Sequence, residues 1–307
     1  MKRQALICSL AWLVLAPAVQ AQRNAEIPQR LPVIFSSAMS DAEFQRREEL
    51  LTPDIDRGAA NVASATRSPW LDANGWRFLR RPAGEFYYEL PPGRAVLAAA
   101  EAFASNADAV LKIDPADAEE MAKMLAFLRQ LPSSNLPTIA DIGVIDDGSD
   151  EVAEVMNLLA RRNLLFRIVA APSPQLRINI KLGSDEFPLE AADDPSDFAQ
   201  TIRKKLGDPN RSLRLYGTQM TLCHWTGDGV RTRLHLLNYS GREVHGLRVR
   251  LRGRYGDGTA TAYGLGPVEL KDVVSDETTT EFTIARMGIY AVVDLPVAPT
   301  ANDGKRS

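Results

Sequence analysis

The sequence is short of the residues that do chemistry. Its 307 residues include only two cysteines and three histidines. That excludes a zinc-finger array, a multi-cysteine cluster and a disulfide-built fold. It has no surplus of positive charge either. Lys and Arg number 36 against 39 Asp and Glu, a formal net charge of -3, so no nucleic-acid partner is expected. It contains no G-x-S-x-G elbow, no P-loop and no G-x-G-x-x-G after a strand. Dinucleotide and nucleoside-triphosphate binding lose their best signals, and no cofactor is expected. No apolar run reaches the ~20 residues of a membrane span.

What is present begins with an address. Lys2 and Arg3 precede an apolar run over 5–15, broken only by Ser9, and Val19 and Ala21 have the size that signal peptidase accepts. Residues 1–21 are therefore expected to be a signal peptide, and the mature protein periplasmic or secreted. Cleavage after Ala21 removes Cys8 and leaves Cys223 as the one cysteine, so packing without a disulfide must hold the fold.

The remaining chain divides by pattern. Residues 22–67 suggest an extended arm with one short helix at 41–51, capped by Ser40. Over 68–217, strand signals at 86–90, 109–113, 139–145, 165–169, 177–182 and 213–216 alternate with helix signals. Asp114-Pro115 and Asp194-Pro195 both open helices, and Ser149 caps another. Met121, Met124, Leu125 and Leu128 share one helical face, as do Val152, Val155, Met156 and Leu159. This alternation predicts an α/β unit with a Rossmann-like, flavodoxin- or amidotransferase-like open parallel sheet. Over 218–296 the helix signals stop. Seven short strands, at 218–225, 230–238, 244–254, 259–263, 268–274, 279–285 and 289–295, predict a small antiparallel β-sandwich. Residues 297–307 are a polar tail, expected to be disordered.

Three groups of residues could carry chemistry. The first is the histidines. A hairpin centred on Asp228 pairs His224 with Thr232 and turns His235 to the other face. One centred on Ser240 sets His235 opposite His245. Two histidines can then meet but three cannot converge, and no metal site is expected. Cys223 and His224 are adjacent on a strand and point to opposite faces, which excludes a Cys-His nucleophile.

The second group is the turn Asp146-Asp147-Gly148-Ser149, at the carboxyl end of a sheet strand, where open α/β folds bind ligands. Asp146 and Asp147 could act as acid and base. The same residues are also ordinary turn and helix-start chemistry. The third group is Trp70, Asp72, Asn74, Trp76 and Arg77, followed by Arg80, Arg81, Tyr87 and Tyr88. Flat rings among amides and carboxylates suit a sugar site, with Ser149 as a further contact. Alternatively, the aromatics anchor the arm to the α/β body. The charge runs around Asp193, Asp194 and Asp197, and over 203–205, read as solvated helix ends.

A unit containing IADIGVIDDGSDEVAEVMNLLARRNLLFRIV is followed by one containing TRLHLLNYSGREVHGLRVRLRG. This succession resembles the back half of bacterial β-galactosidase-type carbohydrate-active enzymes. There, a glutamine-amidotransferase-like α/β domain follows a catalytic barrel and precedes a small β-sandwich. The resemblance covers about residues 100–295 and rests on domain order and the LLNYSGR hairpin. The stretch before residue 102 is too short for the ~250-residue barrel. The turn that would carry the amidotransferase cysteine reads DDGS. No catalytic residue carries over, and the resemblance implies an accessory module near carbohydrate metabolism.

The expected function is an exported, non-catalytic accessory protein that binds a glycan or a cell-envelope partner. Two alternatives stand beside it. One is a glycoside hydrolase using Asp146, Asp147 or Asp72, which needs two carboxyl groups ~5–9.5 Å apart. The other is an assembly protein whose sandwich surface is the interface. The oligomeric state is not legible from the sequence.

Overall fold

The computed structural model describes residues 29–35, 39–56, 70–134 and 136–298. The expected signal peptide lies outside the described residues, as does the expected tail beyond Ala298. The α/β part runs in order through β1 (Val33–Ile34), α1 (Asp41–Gln45), β2 (Glu48–Glu49), β3 (Asp54–Asp56), β4 (Trp70–Asp72), α2 (Gly75–Arg80), β5 (Glu85–Glu89), α3 (Ala95–Ala104) and β6 (Asp108–Lys112). It continues through α4 (Ala118–Gln130), β7 (Ile142–Val144), α5 (Asp150–Arg161), β8 (Phe166–Ile168), β9 (Ile178–Ile180) and α6 (Pro195–Leu206).

The parallel strands form two sheets, with strand orders β1-β6-β5-β2 and β8-β7-β9. The segment expected as an arm supplies both edges of the first sheet. Val33 pairs with Val110, and Glu48 with Phe86. A two-residue strand is too short for any alternation to show in the sequence. The helix expected over 41–51 ends at Gln45. Ser40 and Glu43 form a reciprocal capping box at its start, and Leu50 lies in the core.

Local chemistry explains the other helices. The Asp114 side chain accepts from the Ala116 N–H, Ser149 from Val152, and Asp194 from Ser196 and Asp197. Gly207, at φ 74°, ends α6 in a conformation that glycine adopts without strain. In α3 every residue is buried. Its run of alanines lets the helix sit close against the sheet, and a helix apolar on all sides belongs inside.

The sandwich begins earlier than expected. The strand β10 (Leu213–Tyr216) was expected in the α/β sheet. It pairs instead with β13 (Val244–Arg252), Leu213 opposite Leu251 and Leu215 opposite Val249. The other sandwich strands are β11 (Thr221–Gly227), β12 (Arg231–Asn238), β14 (Thr259–Ala262), β15 (Gly266–Val268), β16 (Leu270–Ser275), β17 (Thr279–Met287) and β18 (Tyr290–Pro296). They form two antiparallel sheets, β10-β13-β17-β16 and β11-β12-β18-β14-β15. The strand expected at 268–274 is divided between them. Trp225, Leu234, Leu247, Val249, Phe282 and Val293 fill the space between the sheets.

One buried carboxylate ties the two parts together. Glu101, on α3, has no solvent exposure. Its Oε1 accepts from the Asn74 backbone N–H at 2.6 Å and from the Tyr239 hydroxyl at 2.6 Å. Its Oε2 accepts from the Tyr88 hydroxyl at 2.8 Å and the Asn74 side-chain amide at 3.1 Å. Tyr239 follows β12, so the sandwich contributes one of the four donors. Burial raises the Glu101 pKa, and the four donors only partly offset that rise.

Glu101→Gln places an amide N–H against groups that already donate. We expect a loss of about 2–4 kcal/mol in urea unfolding at neutral pH. Because the folded pKa is raised, this carboxyl favours folding most below the ordinary carboxylate range, and that contribution is lost as pH rises through the raised value. The advantage of the wild type over E101Q should therefore shrink as pH rises from about 4.

Candidate functional site

The aromatic cluster read from the sequence is divided by the fold. β4 alternates, so Leu71 enters the core while Trp70 and Asp72 share the other face. The Trp70 indole N–H donates to Asp72 Oδ1 at 3.1 Å. The Arg161 guanidinium lies 3.5 Å from the centroid of the same indole. Asn74 is fully buried, and its amide donates to Glu101 and to the Leu51 carbonyl. It offers no surface to a ligand. Trp76 is 7% exposed, belongs to the core beneath the three-stranded sheet and carries the Arg77 guanidinium over its ring at 4.4 Å.

Arginine clamps the acidic turn. Arg80, on α2, donates from Nε and Nη2 to the two oxygens of Asp146 at 2.8 and 2.9 Å, and from Nη2 to the Ser149 carbonyl at 3.0 Å. Burial pushes the Asp146 carboxyl up, but the Arg80 pair and the Gly148 N–H outweigh it and leave the pKa lowered. Asp147 is also lowered, by its hydrogen bonds from Ser149. Both acids are therefore ionised at neutral pH, and neither holds the proton that a general acid must donate. Ser149 caps α5. Glu48, Trp76, Arg77, Arg80, Arg81, Asp146 and Gly148 line one shallow groove. Glu48 pairs there with Arg77 and Arg81. Trp76 and Arg77 thus do meet the acidic turn, whereas Trp70 faces elsewhere.

Trp70 lines a different cleft, of about 270 Å³, where α5, α6 and β10 meet. It lies at the opposite end of α5 from the acidic turn, about 18 Å along the helix axis for its 12 residues. Arg161, Arg162, Arg203, Arg211 and Arg214 line it with Trp70 and Tyr216, and among the described residues no acidic side chain does. Asp208 stands behind them. It pairs with Arg203 at 3.0 Å, Arg211 at 3.3 Å and Arg214 at 3.8 Å, and the hydrogen bond from Arg203 leads in lowering its pKa to about 2. Arg162 donates to Gln200 and Ser196. Arg211 donates to the carbonyls of Arg162 and Asn163. Burial brings Arg161 down to about 10. Of this cleft the sequence shows only Trp70 as a candidate ligand residue. Its arginines come from several separate segments, and Arg203 reads in the sequence as part of a solvated helix end. The adjacent pair Arg161-Arg162 was the only local signal.

The histidine registers differ from expectation. The turn spans Asp228 to Arg231, where Asp228 Oδ1 accepts from the N–H groups of Val230 and Arg231. His224 therefore pairs with His235, not with Thr232, and their ring centroids lie 6.1 Å apart. His245 pairs with Arg286 on the other sandwich sheet. Burial pushes His224 down to about 4 and holds His235 well below the usual imidazole value, so both are neutral. The His235 Nδ1 and the Tyr290 hydroxyl are 2.6 Å apart. Burial also raises the Cys223 thiol pKa. Among the described residues no three His, Cys, Asp or Glu side chains gather as metal ligands.

No protein-family model and no curated protein matches the chain. Among solved structures, alpha-L-fucosidase isoenzyme 2 from Paenibacillus thiaminolyticus is similar in fold, with a TM-score of 0.55 and 9% identity. The match covers 73% of this chain and 62% of that one. The chain therefore spans less than two thirds of that protein. A cycloisomaltooligosaccharide glucanotransferase from Paenibacillus sp. matches at a TM-score of 0.21 and 9% identity, over 50% of this chain and 27% of that one, too low to carry an argument. The likeness to a carbohydrate-active enzyme is one of fold: parallel α/β sheets followed by antiparallel sheets.

Arg80→Gln should free the acidic turn from α2 and cost about 1–3 kcal/mol at pH 7. The lowered Asp146 pKa contributes stability above the ordinary carboxylate value, and this is lost as pH falls through the lowered value. The deficit of R80Q, measured by chemical unfolding, should therefore narrow below about pH 4.

Proposed function

We propose that this chain is an exported, non-catalytic accessory protein that binds a glycan in the cleft between α5, α6 and β10. One observation carries this reading: the cleft presents the exposed Tyr216 ring, beside Trp70 with the Arg161 guanidinium over it, among fixed polar side chains. Indole and phenol rings offer flat apolar area with a polar edge, which matches a sugar's apolar face and hydroxyl rim. The fold likeness to an alpha-L-fucosidase supports a carbohydrate setting. We include in the proposal the finer likeness to the amidotransferase-like and sandwich modules of β-galactosidase-type enzymes. The basic and apolar start of the chain supports export.

Binding is favoured over hydrolysis because the acidic candidates are committed elsewhere. Asp146 is held by Arg80 and Asp147 by its own turn. Asp72 accepts from Trp70.

The test is a glycan array followed by calorimetry. A hit with a dissociation constant between about 1 μM and 1 mM is expected. Tyr216→Ala, at a surface position, should weaken it about tenfold without changing the melting temperature. Release of p-nitrophenol from aryl glycosides, α-L-fucoside included, should not exceed that of heated protein. Turnover that survives purification, or an array with no hit, would overturn the proposal.

A further inference from the structure

We propose that the cleft between α5, α6 and β10 recognises an acidic saccharide, whose carboxylate or sulfate is held by the arginine side chains while its ring lies beside Tyr216. This deepens the glycan reading above and rests on it. Charge comes first. Five guanidiniums line the cleft, and Asp208 is shared by three of them. One carboxylate cannot neutralise three cations. Arg162 makes its hydrogen bonds to the neutral partners Gln200 and Ser196, with Asp194 and Asp197 acting on it only at longer range.

Ordinary helix chemistry explains only part of the set. Arg161 and Arg162 close α5, and Arg203 lies in the last turn of α6. There they complement the negative end of each helix dipole. Arg211, in the turn after α6, also serves the end of α5 through the carbonyls of Arg162 and Asn163, whereas Arg214, on β10, has no such role. They bring further like charge to the same place. Burial disfavours the charge on Arg161, Arg162 and Arg211, against the partial compensation of Glu154 and Asp72 at Arg161, Asp194 and Asp197 at Arg162, and Asp208 at Arg211. The guanidiniums add to this cost: Arg162 acts on Arg161, and Arg203 on Arg162 and Arg211. An anion in the cleft would relieve that repulsion.

Rigidity and chemistry narrow the ligand. Arg211 is 8% exposed and is pinned by two carbonyls and by Asp208, so little ordering remains to be done on binding. The planar guanidinium fork fits a carboxylate or sulfate with two parallel hydrogen bonds. Tyr216, 37% exposed, lies under the Arg214 guanidinium at 4.9 Å. Charge and a flat ring thus occur side by side, as an acidic sugar requires. The cleft is small for a ligand site and suits one charged unit of a glycan.

The experiment is calorimetry with the folded protein and three kinds of probe. Oligogalacturonate and chondroitin sulfate oligosaccharides are the acidic probes. Their carboxyl-reduced and desulfated counterparts are the neutral ones, and inorganic sulfate is the small anion. An acidic oligosaccharide should bind at least about tenfold more tightly than its neutral counterpart. Its affinity should fall between low salt and about 0.5 M salt. Arg214→Gln should lose about tenfold for the acidic probe alone. Should R214Q not fold, the neutral counterparts still decide. Equal binding of acidic and neutral probes would overturn the acidic assignment and leave the glycan reading standing. Binding of sulfate with no saccharide bound would overturn both.

Discussion

A carboxylate with no access to water organises this fold. Moving Glu101 out of solvent costs several kcal/mol even after relaxation, and only a complete set of donors offsets that cost. Those donors come from three places: the connection between β4 and α2, the strand β5, and the residue that follows β12. The carboxylate is therefore satisfied only when the α/β part and the sandwich are docked in one arrangement. The surrounding helix reinforces this. Alanines at nearly every turn of α3 let it enter the interior, and one long acidic side chain among them reaches the two tyrosines and Asn74.

Arginine then divides the surface into two unlike ends. At the amino end of α5, Arg80 and Asp146 neutralise each other in a bidentate pair, and the turn is locked. At its carboxyl end the balance is broken, and several guanidiniums share Asp208. The end where an open α/β sheet usually binds ligands is the closed one. The candidate ligand cleft lies where the sheet's other end meets the sandwich. Without β10, which belongs to the sandwich, that cleft would lack Arg214 and Tyr216.

Local chemistry was legible in the chain where it acts over a few residues. The caps at Asp114, Ser149 and Asp194, the stop at Gly207 and the apolar stripes of α4 and α5 are all written in short spacings, and each is present. Legibility failed where the partner is distant or the element short. β1 and β2 are two residues each and exist through pairing with β6 and β5. The turn after Gly227 is centred later than Asp228, which moves the partner of His224 from Thr232 to His235. Asn74 reads as a ligand residue because an amide looks alike in sequence whether it faces a sugar or a core, while Trp76 both packs in the core and lines the groove beside the acidic turn.

The sequence alone determined the alternation of strands and helices from β5 to α6, the change from helical to strand periodicity near residue 217, and the scarcity of cysteine and histidine. These follow from composition and from periods of 2 and 3.6 residues, which need no partner to be read. Tertiary structure alone decided the division of the parallel strands into two sheets and the burial of Glu101. It also decided the capture of Asp146 by Arg80 and the gathering of five arginines around one cleft. Each of these joins groups far apart in the chain, and their energies depend on distances that exist only after the chain has folded.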